Sequence, residues 1–491
     1  MNSNPTKIAI VSLNMDFYPR LGLGYLATYL KQKLNDAIEI NIVDNVFEDV
    51  LQRISEIKPD ILGISAMTIE YADAIDLAVK VTGILPACKI IVGGVHISTL
   101  PNSLNPCFEL GVLGEGEETL CELAILFNRK NTFAPDDLAK INGIVFWDKG
   151  QLRKTSPRLL INPLDKVQLD WRYLDRHLVR KKLFVLGKYG VEGYIFTSRG
   201  CPYNCEFCST KIFWQKVRFF SVNRICEEIH LLKDRYKVDH IQILDDLFTQ
   251  NKQRLKEVIS GLRDRGILGK VLFSCTARAN LLDDELCDIL KELNVVSVNF
   301  GFESGSERVL KYIKGNSVTV EQNKKAIKIA TGKKLMVTGS VMLALPTETI
   351  EDMKKTVEFT DFARKNGADI IWPFVLVPFP GTRVWDVAVE RGVVSDNMDW
   401  RKLSLWDYQN PLLLEPGVPY KEFWKTMQGL KRKLRYYNWS KALQFFIHSP
   451  IDVLKEFMGK PMYYFKILVK YDSESGKGYN LKYSKKVCSK I

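Results

Sequence analysis

No stretch of this 491-residue chain approaches the about 18 to 20 uninterrupted apolar residues that a membrane-spanning helix needs. Nor is there a charged-then-apolar leader, because Met1-Asn-Ser-Asn-Pro-Thr-Lys7 runs straight into a strand-like segment. The two absences predict a cytoplasmic protein, with any membrane contact peripheral. Cysteine is sparse. Ten in such a chain are too few for a disulfide scaffold. Seven of them (Cys88, Cys107, Cys121, Cys226, Cys275, Cys287 and Cys488) stand singly among apolar or mixed neighbours, where a thiol reads as a small buried hydrophobe. With 46% hydrophobic and 26% charged residues, a disordered or collagen-like chain is excluded. The length exceeds one ordinary core, so two or three domains are expected.

What is present is an alternation of strand and helix. Strand-like runs at Lys7–Leu13, Ile38–Val43, Asp60–Ala66, Lys89–Gly93 and Phe108–Gly114 are separated by helix-period stretches near Gly22–Lys33, Val46–Ile57, Ala72–Gly83 and Glu117–Phe127. This order predicts a parallel, doubly wound α/β sheet over residues 1–140. Such sheets bind ligands at the carboxyl ends of their strands. Gly93-Gly94 and Gly114-Glu115-Gly116-Glu117 fall there, although plain strand-to-helix turns would use glycine too. Residues 141–188 read as a hairpin and a linker holding Pro163.

A second series, over 189–390, has strand candidates at Gly193–Arg199, His240–Leu244, Val271–Thr276, Val295–Phe302, Met336–Leu345 and Ile370–Val377, with helical patterns between. Six strand–helix units predict a barrel or partial barrel, whose chemistry gathers at the strands' carboxyl ends. Those ends carry Cys201 to Cys208, Asp245-Asp246, Arg278, Glu303-Ser304-Gly305, Pro346-Thr347-Glu348 and Pro378 to Thr382. Residues 391–491 read as basic, aromatic and mainly helical.

Three cysteines lie within Cys201-Pro-Tyr-Asn-Cys205-Glu-Phe-Cys208. Soft thiolates at short spacing select zinc or iron–sulfur clusters. Structural zinc usually takes four protein ligands, commonly as two paired knuckles, and no second cysteine pair lies nearby. His230 and His240 could complete a zinc site, but both fall in apolar helix or strand patterns. Three thiolates would leave one iron of a 4Fe-4S cube open, as metal catalysis requires.

The spacing of Cys201, Cys205 and Cys208 at the end of a first barrel strand resembles the signature of the radical S-adenosylmethionine (SAM) superfamily, and the likeness extends over the six strand–helix units. It implies an enzyme with a 4Fe-4S cluster on these cysteines, whose open iron takes the amino and carboxylate groups of SAM. It implies reductive cleavage of SAM to a 5′-deoxyadenosyl radical that abstracts hydrogen from an unactivated carbon. An external low-potential electron donor, such as flavodoxin or ferredoxin, goes with that chemistry. The resemblance also implies a SAM shell. Phe207 would flank the adenine, and Asp245 and Asp246 would meet the methionine ammonium in place of the usual glycine-rich acidic motif. Ser274 and Arg278 could reach the ribose and the carboxylate, and Glu303 and Ser304 the ribose or methionine. An internal salt-bridge network is the alternative for Asp245, Arg278 and Glu303.

A doubly wound domain ahead of such a barrel is similar to the cobalamin-binding subfamily, through Leu21-Gly-Leu-Gly-Tyr-Leu-Ala27, Gly63-Ile-Ser-Ala-Met67, Gly93-Gly-Val-His-Ile97, Gly114-Glu-Gly-Glu117 and Pro378–Thr382. The likeness implies a Rossmann-like cobalamin-binding-type domain, a partial (β/α)6 TIM-type barrel and a mainly helical C-terminal region. It places Ser65, Met67, Gly93, Gly94, Gly114, Glu115 and Gly116 at the cobalamin. Many cobalamin proteins outside this subfamily supply a histidine to cobalt. The loop Asn14–Gly22 has none, which fits both the subfamily and a domain that has lost cobalamin. His96 reads as a packing or polar turn residue. The implied reaction is methyl transfer to an unactivated carbon of a lipid-like or secondary-metabolite substrate, with cyclisation and rearrangement as relatives' alternatives.

The formal charge is +13, yet residues 421–491 hold 16 Lys or Arg against 5 Asp or Glu, so the excess sits in the tail. Lys431-Arg-Lys-Leu-Arg435 stands beside Tyr436-Tyr-Asn-Trp439, Phe445-Phe-Ile447 and Met462-Tyr-Tyr-Phe465, as in an interfacial helix on anionic lipid. A helical cap over the barrel with solvated lysines is the alternative. An RNA-modifying, methylthiotransferase-like enzyme, or a non-catalytic metal- or nucleic-acid-binding protein, is the rival class. Methylthiolating relatives typically bring three further N-terminal cluster cysteines, for which only Cys88, Cys107 and Cys121 are available.

Overall fold

Ile8, Ala9, Ile10 and Val11 are all buried, an uninterrupted apolar run of the kind a parallel strand covered on both faces needs. They belong to β1 (Thr6–Ser12) of the computed structural model, which describes residues 5–13, 19–183, 188–405 and 407–448. Four strands continue the parallel sheet: β2 (Ile38–Asp44), β3 (Ile61–Ser65), β4 (Lys89–Gly93) and β5 (Leu110–Val112), in the order β2-β1-β3-β4-β5. The order reverses beside β1, so the crevice of this doubly wound sheet opens at the carboxyl ends of β1 and β3. The hairpin β6 (Ile144–Asp148) and β7 (Gln151–Lys154) does not stand apart. It extends the same sheet, β6 pairing antiparallel with β5.

The segment expected as a linker is docked as well. Short 3-10 turns bury Leu164, Val167, Trp171 and Leu174, and Trp171 Nε1 donates to Glu228 at 2.9 Å. Turns present these apolar residues without helical or strand period, so periodicity could not reveal them.

The second sheet has the order β16-β15-β14-β13-β12-β9-β8. Six strands run parallel: β9 (Lys188–Ile195), β12 (His240–Ile243), β13 (Leu272–Ala277), β14 (Val295–Glu303), β15 (Met336–Leu343) and β16 (Ile370–Val375). An edge strand, β8 (Arg180–Leu183), pairs antiparallel with β9. Its Arg-Lys-Lys run gave no apolar signal, and charge on an edge discourages further pairing. A short ladder of β10 (Ser198–Arg199) and β11 (Arg218–Phe219) lies beside the cysteine loop. The sheet is a partial barrel, open between β16 and β8. Its faces differ: along β13, Phe273, Cys275 and Ala277 are buried while Leu272, Ser274 and Thr276 are half-buried.

Past the barrel the chain returns to the first domain. Trp400 packs edge-on against His96, with ring centroids 4.5 Å apart, and Arg401 pairs with Asp73 at 3.0 Å and Asp76 at 2.6 Å. The helix Tyr420–His448 buries Phe423, Met427, Leu430 and Leu434 along one stripe. Lys433 pairs with Asp361 at 2.6 Å, and the Lys431 ammonium lies over the Tyr408 ring at 4.4 Å. The start of the basic tail is thus a cap on the barrel. The side chains of 435–448 and all of 449–491, which carry the tail's aromatic patches, lie outside the described residues. Among the described residues no helix is long and apolar enough to cross a membrane.

Candidate active site

Gly200 sets the entry to the cysteine loop. Its φ is +95°, and a Cβ there would sit 2.8 Å from the Lys216 carbonyl oxygen, so only glycine fits without strain. The loop is clamped on both sides: the Glu206 amide donates to the Ile313 carbonyl at 2.9 Å, and the Glu206 carbonyl accepts from the Val384 amide at 3.1 Å. Cys201, Cys205 and Cys208 are free, half-buried thiols. Burial pushes the Cys201 thiol up to about 11 and raises Cys208. An Arg278 guanidinium nitrogen lies 3.5 Å from Cys205 Sγ. Among the described residues no three Cys, His, Asp or Glu side chains stand close enough to hold a single metal ion. A four-iron cube separates its thiolates more widely than one ion does, so three half-buried thiols beside a guanidinium are a donor set that fits a cluster.

The two aspartates at the end of β12 have different tasks. Asp245 is buried and accepts from the Thr197 amide (2.6 Å) and hydroxyl (2.5 Å) and from the Ser198 amide (3.1 Å) and hydroxyl (2.6 Å). It braces the strand end that leads into the cysteine loop, which corrects its expected place at the methionine ammonium. Asp246 is exposed and brackets the loop, accepting from the Gly200 amide at 3.2 Å and the Thr210 hydroxyl at 3.1 Å. Phe207 is half-buried in the loop.

Arg278 stacks over Tyr203 at 3.8 Å and donates to Ser317 Oγ at 2.5 Å, while its buried Nε has no hydrogen-bond partner. Tyr203 is in turn fixed by Asn280, whose Nδ2 donates to its hydroxyl at 3.0 Å. Ser274 bonds His240 Nε2 at 2.8 Å in the amino-terminal half of β13, away from the rim. Glu303 is buried against Lys314 at 3.1 Å, the salt-bridge alternative for this residue. Ser304 is fully buried against Thr356 at 3.2 Å, which corrects its expected ligand contact.

Glu348, at the end of β15, is fully buried, and its Oε1 has no hydrogen-bond partner. Burial pushes its carboxyl up to about 8 from an ordinary 4.5. The folded protein therefore keeps a proton that the unfolded chain loses between those values. Its contribution to stability is fully present below about pH 4.5 and is lost as pH rises to about 8. Glu348→Gln should flatten that slope, by on the order of 4 kcal/mol across the window. Denaturant midpoints of the two proteins across the window check this, and parallel slopes would show Glu348 ionised throughout.

At the carboxyl edge of the first sheet, Gly94 has φ +96° and packs on the backbone of Ala66, where a Cβ would lie 2.7 Å from the oxygen. Ser65, Met67, Gly93 and Gly116 are half-buried or lightly covered along the same edge, and a Cβ on Gly114 would meet only open space. Gly114 thus borders room for a ligand at this edge, whereas Gly94 is required by its close approach to Ala66. His96 is fully buried between Tyr71 and Trp400, bonded to Thr68 and Ser103, and burial lowers it to about 3. It is a packing residue, unavailable to cobalt. Glu115, expected at the cobalamin, is instead buried between two guanidiniums. It pairs with Arg199 and with Arg218, the latter at 2.8 Å, and accepts from the Ile161 amide at 2.8 Å. Glu117 pairs with Arg199 at 2.7 Å. Arg199 lies two residues before Cys201, so this network ties the glycine turn of the first domain to the cysteine loop of the second. Pattern reading missed it because its partners are more than 80 residues apart.

Two family models match: the B12 binding domain over residues 6–124 and the radical SAM superfamily over residues 195–360. An uncharacterized methyltransferase of Pyrococcus horikoshii is 31% identical over 412 residues, covering 82% of this chain and 85% of its own. The cytidylyl-2-hydroxyethylphosphonate methyltransferase of Streptomyces wedmorensis is 26% identical over 467 residues, covering 82% and 83%. Among solved structures, the radical SAM methyltransferase TsrM of Kitasatospora setae, with cobalamin and a [4Fe-4S] cluster bound, superposes with a TM-score of 0.62. It is 18% identical over 79% of this chain and 75% of its own, a likeness of fold.

Proposed function

This chain belongs to the radical SAM enzymes that carry a B12 binding domain, and from that premise we propose that it methylates an unactivated carbon of a small molecule. The observation that carries the reading is the buried Arg199 network. It sets the first domain's glycine turn against the loop of Cys201, Cys205 and Cys208, as two cofactors acting on one substrate require.

In this reading the three cysteines hold the 4Fe-4S cluster, while Phe207 and Asp246 face SAM. Ser65, Met67, Gly93, Gly94, Gly114 and Gly116 floor the cobalamin. When bound, the cluster with SAM supplies a primary carbon radical, and cobalamin supplies a transferable methyl group. The chain's own residues position these groups and exclude water: Arg278 and Tyr203 cover the cluster loop, and Asp245 locks the strand end beneath it. A low-potential flavodoxin or ferredoxin delivers the electrons. The RNA-modifying alternative needs a second three-cysteine set, and Cys88, Cys107 and Cys121 sit singly before β4, before β5 and on the helix after β5.

Anaerobic purification with added cobalamin tests the proposal. The protein should show iron–sulfur absorption, retain cobalamin through desalting, and pass a deuterated methyl group from [methyl-²H₃]SAM to product. Iron without retained cobalamin would keep the radical chemistry and discard methyl transfer. Peripheral attachment through the basic tail is a separate proposal. Co-sedimentation with anionic liposomes, reduced by charge reversal at Lys431 and Arg435, supports it, and no binding at low salt discards it.

A further inference from the structure

The open face of the second sheet carries hydrogen-bonding side chains where a closed barrel is filled by branched aliphatic ones. Partners in parallel register share a face. Tyr194, Gln242, Ser274, Ser297 and Met336 therefore form one row, Thr276, Asn299, Thr338 and Ile370 the next, and Ser340 and Trp372 a third, so the polar side chains sit in the middle strands with Met336 and Ile370 at the margin. The residues between them, among them Phe273, Val298, Phe300 and Ile371, are buried on the helix side. Asn299 is exposed, and Trp372 is 40% exposed, a large indole on an open polar wall.

Donors and acceptors on this wall are oriented. Glu192 accepts from Tyr194 at 2.6 Å, Gln242 at 2.7 Å and Lys181 at 2.6 Å, and lies 3.3 Å from His240 Nδ1. Burial alone would raise Glu192, but His240 and the other three donors hold it well below the usual carboxylate range. The half-buried Ser274 hydroxyl shares one hydrogen bond with His240 Nε2 at 2.8 Å, and a hydroxyl with one bond keeps further hydrogen-bonding capacity for the open face. Asn299 is held through its amide oxygen. Its Oδ1 accepts from Thr338 at 3.0 Å, which leaves its Nδ2 hydrogens for a ligand. The acidic groups of this wall are paired, Glu192 with Lys181 and Glu303 with Lys314. A hydrocarbon ligand would cover Ser274 and Asn299 without satisfying either.

We propose that this wall selects a water-soluble substrate that carries both a hydrogen-bond donor and an acceptor, with a flat unsaturated portion against Trp372. The proposal rests on the methyl-transfer reading and replaces the lipid-like class within it. The holoenzyme, reduced and supplied with [methyl-²H₃]SAM, is incubated with the aqueous and the chloroform-extractable fractions of the source cells. Label should enter a compound of the aqueous fraction. Label confined to the chloroform fraction would overturn the substrate class and leave methyl transfer standing, whereas no label in either overturns both. Asn299→Leu keeps the volume of an exposed side chain and removes its amide. It should raise at least tenfold the amount of aqueous fraction needed for half-maximal labelling, while an unchanged requirement removes Asn299, and with it the polar wall, from recognition.

Discussion

Cys205→Ala should abolish the visible iron–sulfur absorption of the reconstituted protein and reduce SAM cleavage to background. The loss should exceed the about 10- to 100-fold that removal of an outer-shell partner brings. Cys205 is the thiol against which Arg278 rests, at 3.5 Å, with Tyr203 stacked on the far side of the guanidinium. A cube held by two thiolates instead of three is left with a second open iron and loses the sulfur beside Arg278. Arg278→Met isolates the second layer. It keeps the stem that packs on Tyr203 and removes the charge beside the sulfur, so iron should be retained while SAM cleavage falls within that about 10- to 100-fold range. Iron content and released 5′-deoxyadenosine, measured on both variants, separate the two layers. A Cys205→Ala protein with full iron and wild-type cleavage would remove the loop from the chemistry.

Arg199→Met should destabilise the protein by about 3–5 kcal/mol, the cost of leaving a buried charge without its partner. Arg199, Glu115, Glu117 and Arg218 have side chains no more than 6% exposed. Burial alone would favour loss of the Arg199 proton, and Glu117 and Glu115 outweigh it. Its guanidinium also lies 5.2 Å from the Trp214 ring and 5.5 Å from Tyr25, so the network joins the first domain to elements on both sides of the cysteine loop. Among the described residues Glu117 pairs with no other cation, whereas Glu115 keeps Arg218. The double variant Arg199→Met, Glu117→Gln should therefore recover much of the loss. Urea midpoints of the wild type, both single variants and the double variant close the cycle. Additive losses would show that Arg199 and Glu117 act independently and that the network is no latch.

How much of this was legible beforehand differs by element. Strand–helix alternation is a local property, and it located the parallel strands of both sheets to within a few residues except the first barrel strand, expected at Gly193–Arg199 and found at Lys188–Ile195, with Ser198–Arg199 in a separate short ladder. The edge strand Arg180–Leu183 escaped because its signal is charge, and the docked 3-10 turns escaped because they have no period. The cysteine loop was legible for the same local reason: three thiols within eight residues carry their own spacing.

The shell around it was not. Asp245 and Asp246 are adjacent and chemically identical in sequence, yet one is enclosed by Thr197 and Ser198 and the other is open. Ser304 and Glu115 likewise had the right chemistry and the wrong surroundings.

The amino-acid sequence by itself determined the three-cysteine loop, the two sheet types and the absence of a histidine from the loop Asn14–Gly22, because each depends on residues close along the chain. Only the tertiary structure decided which carboxylates are enclosed by hydrogen-bond donors and which stay exposed. It alone revealed that Arg199 binds the two domains and that the barrel wall is polar. Those outcomes depend on burial and on partners tens to hundreds of residues away, and the cost of desolvating a charge is defined only once the chain has closed around it.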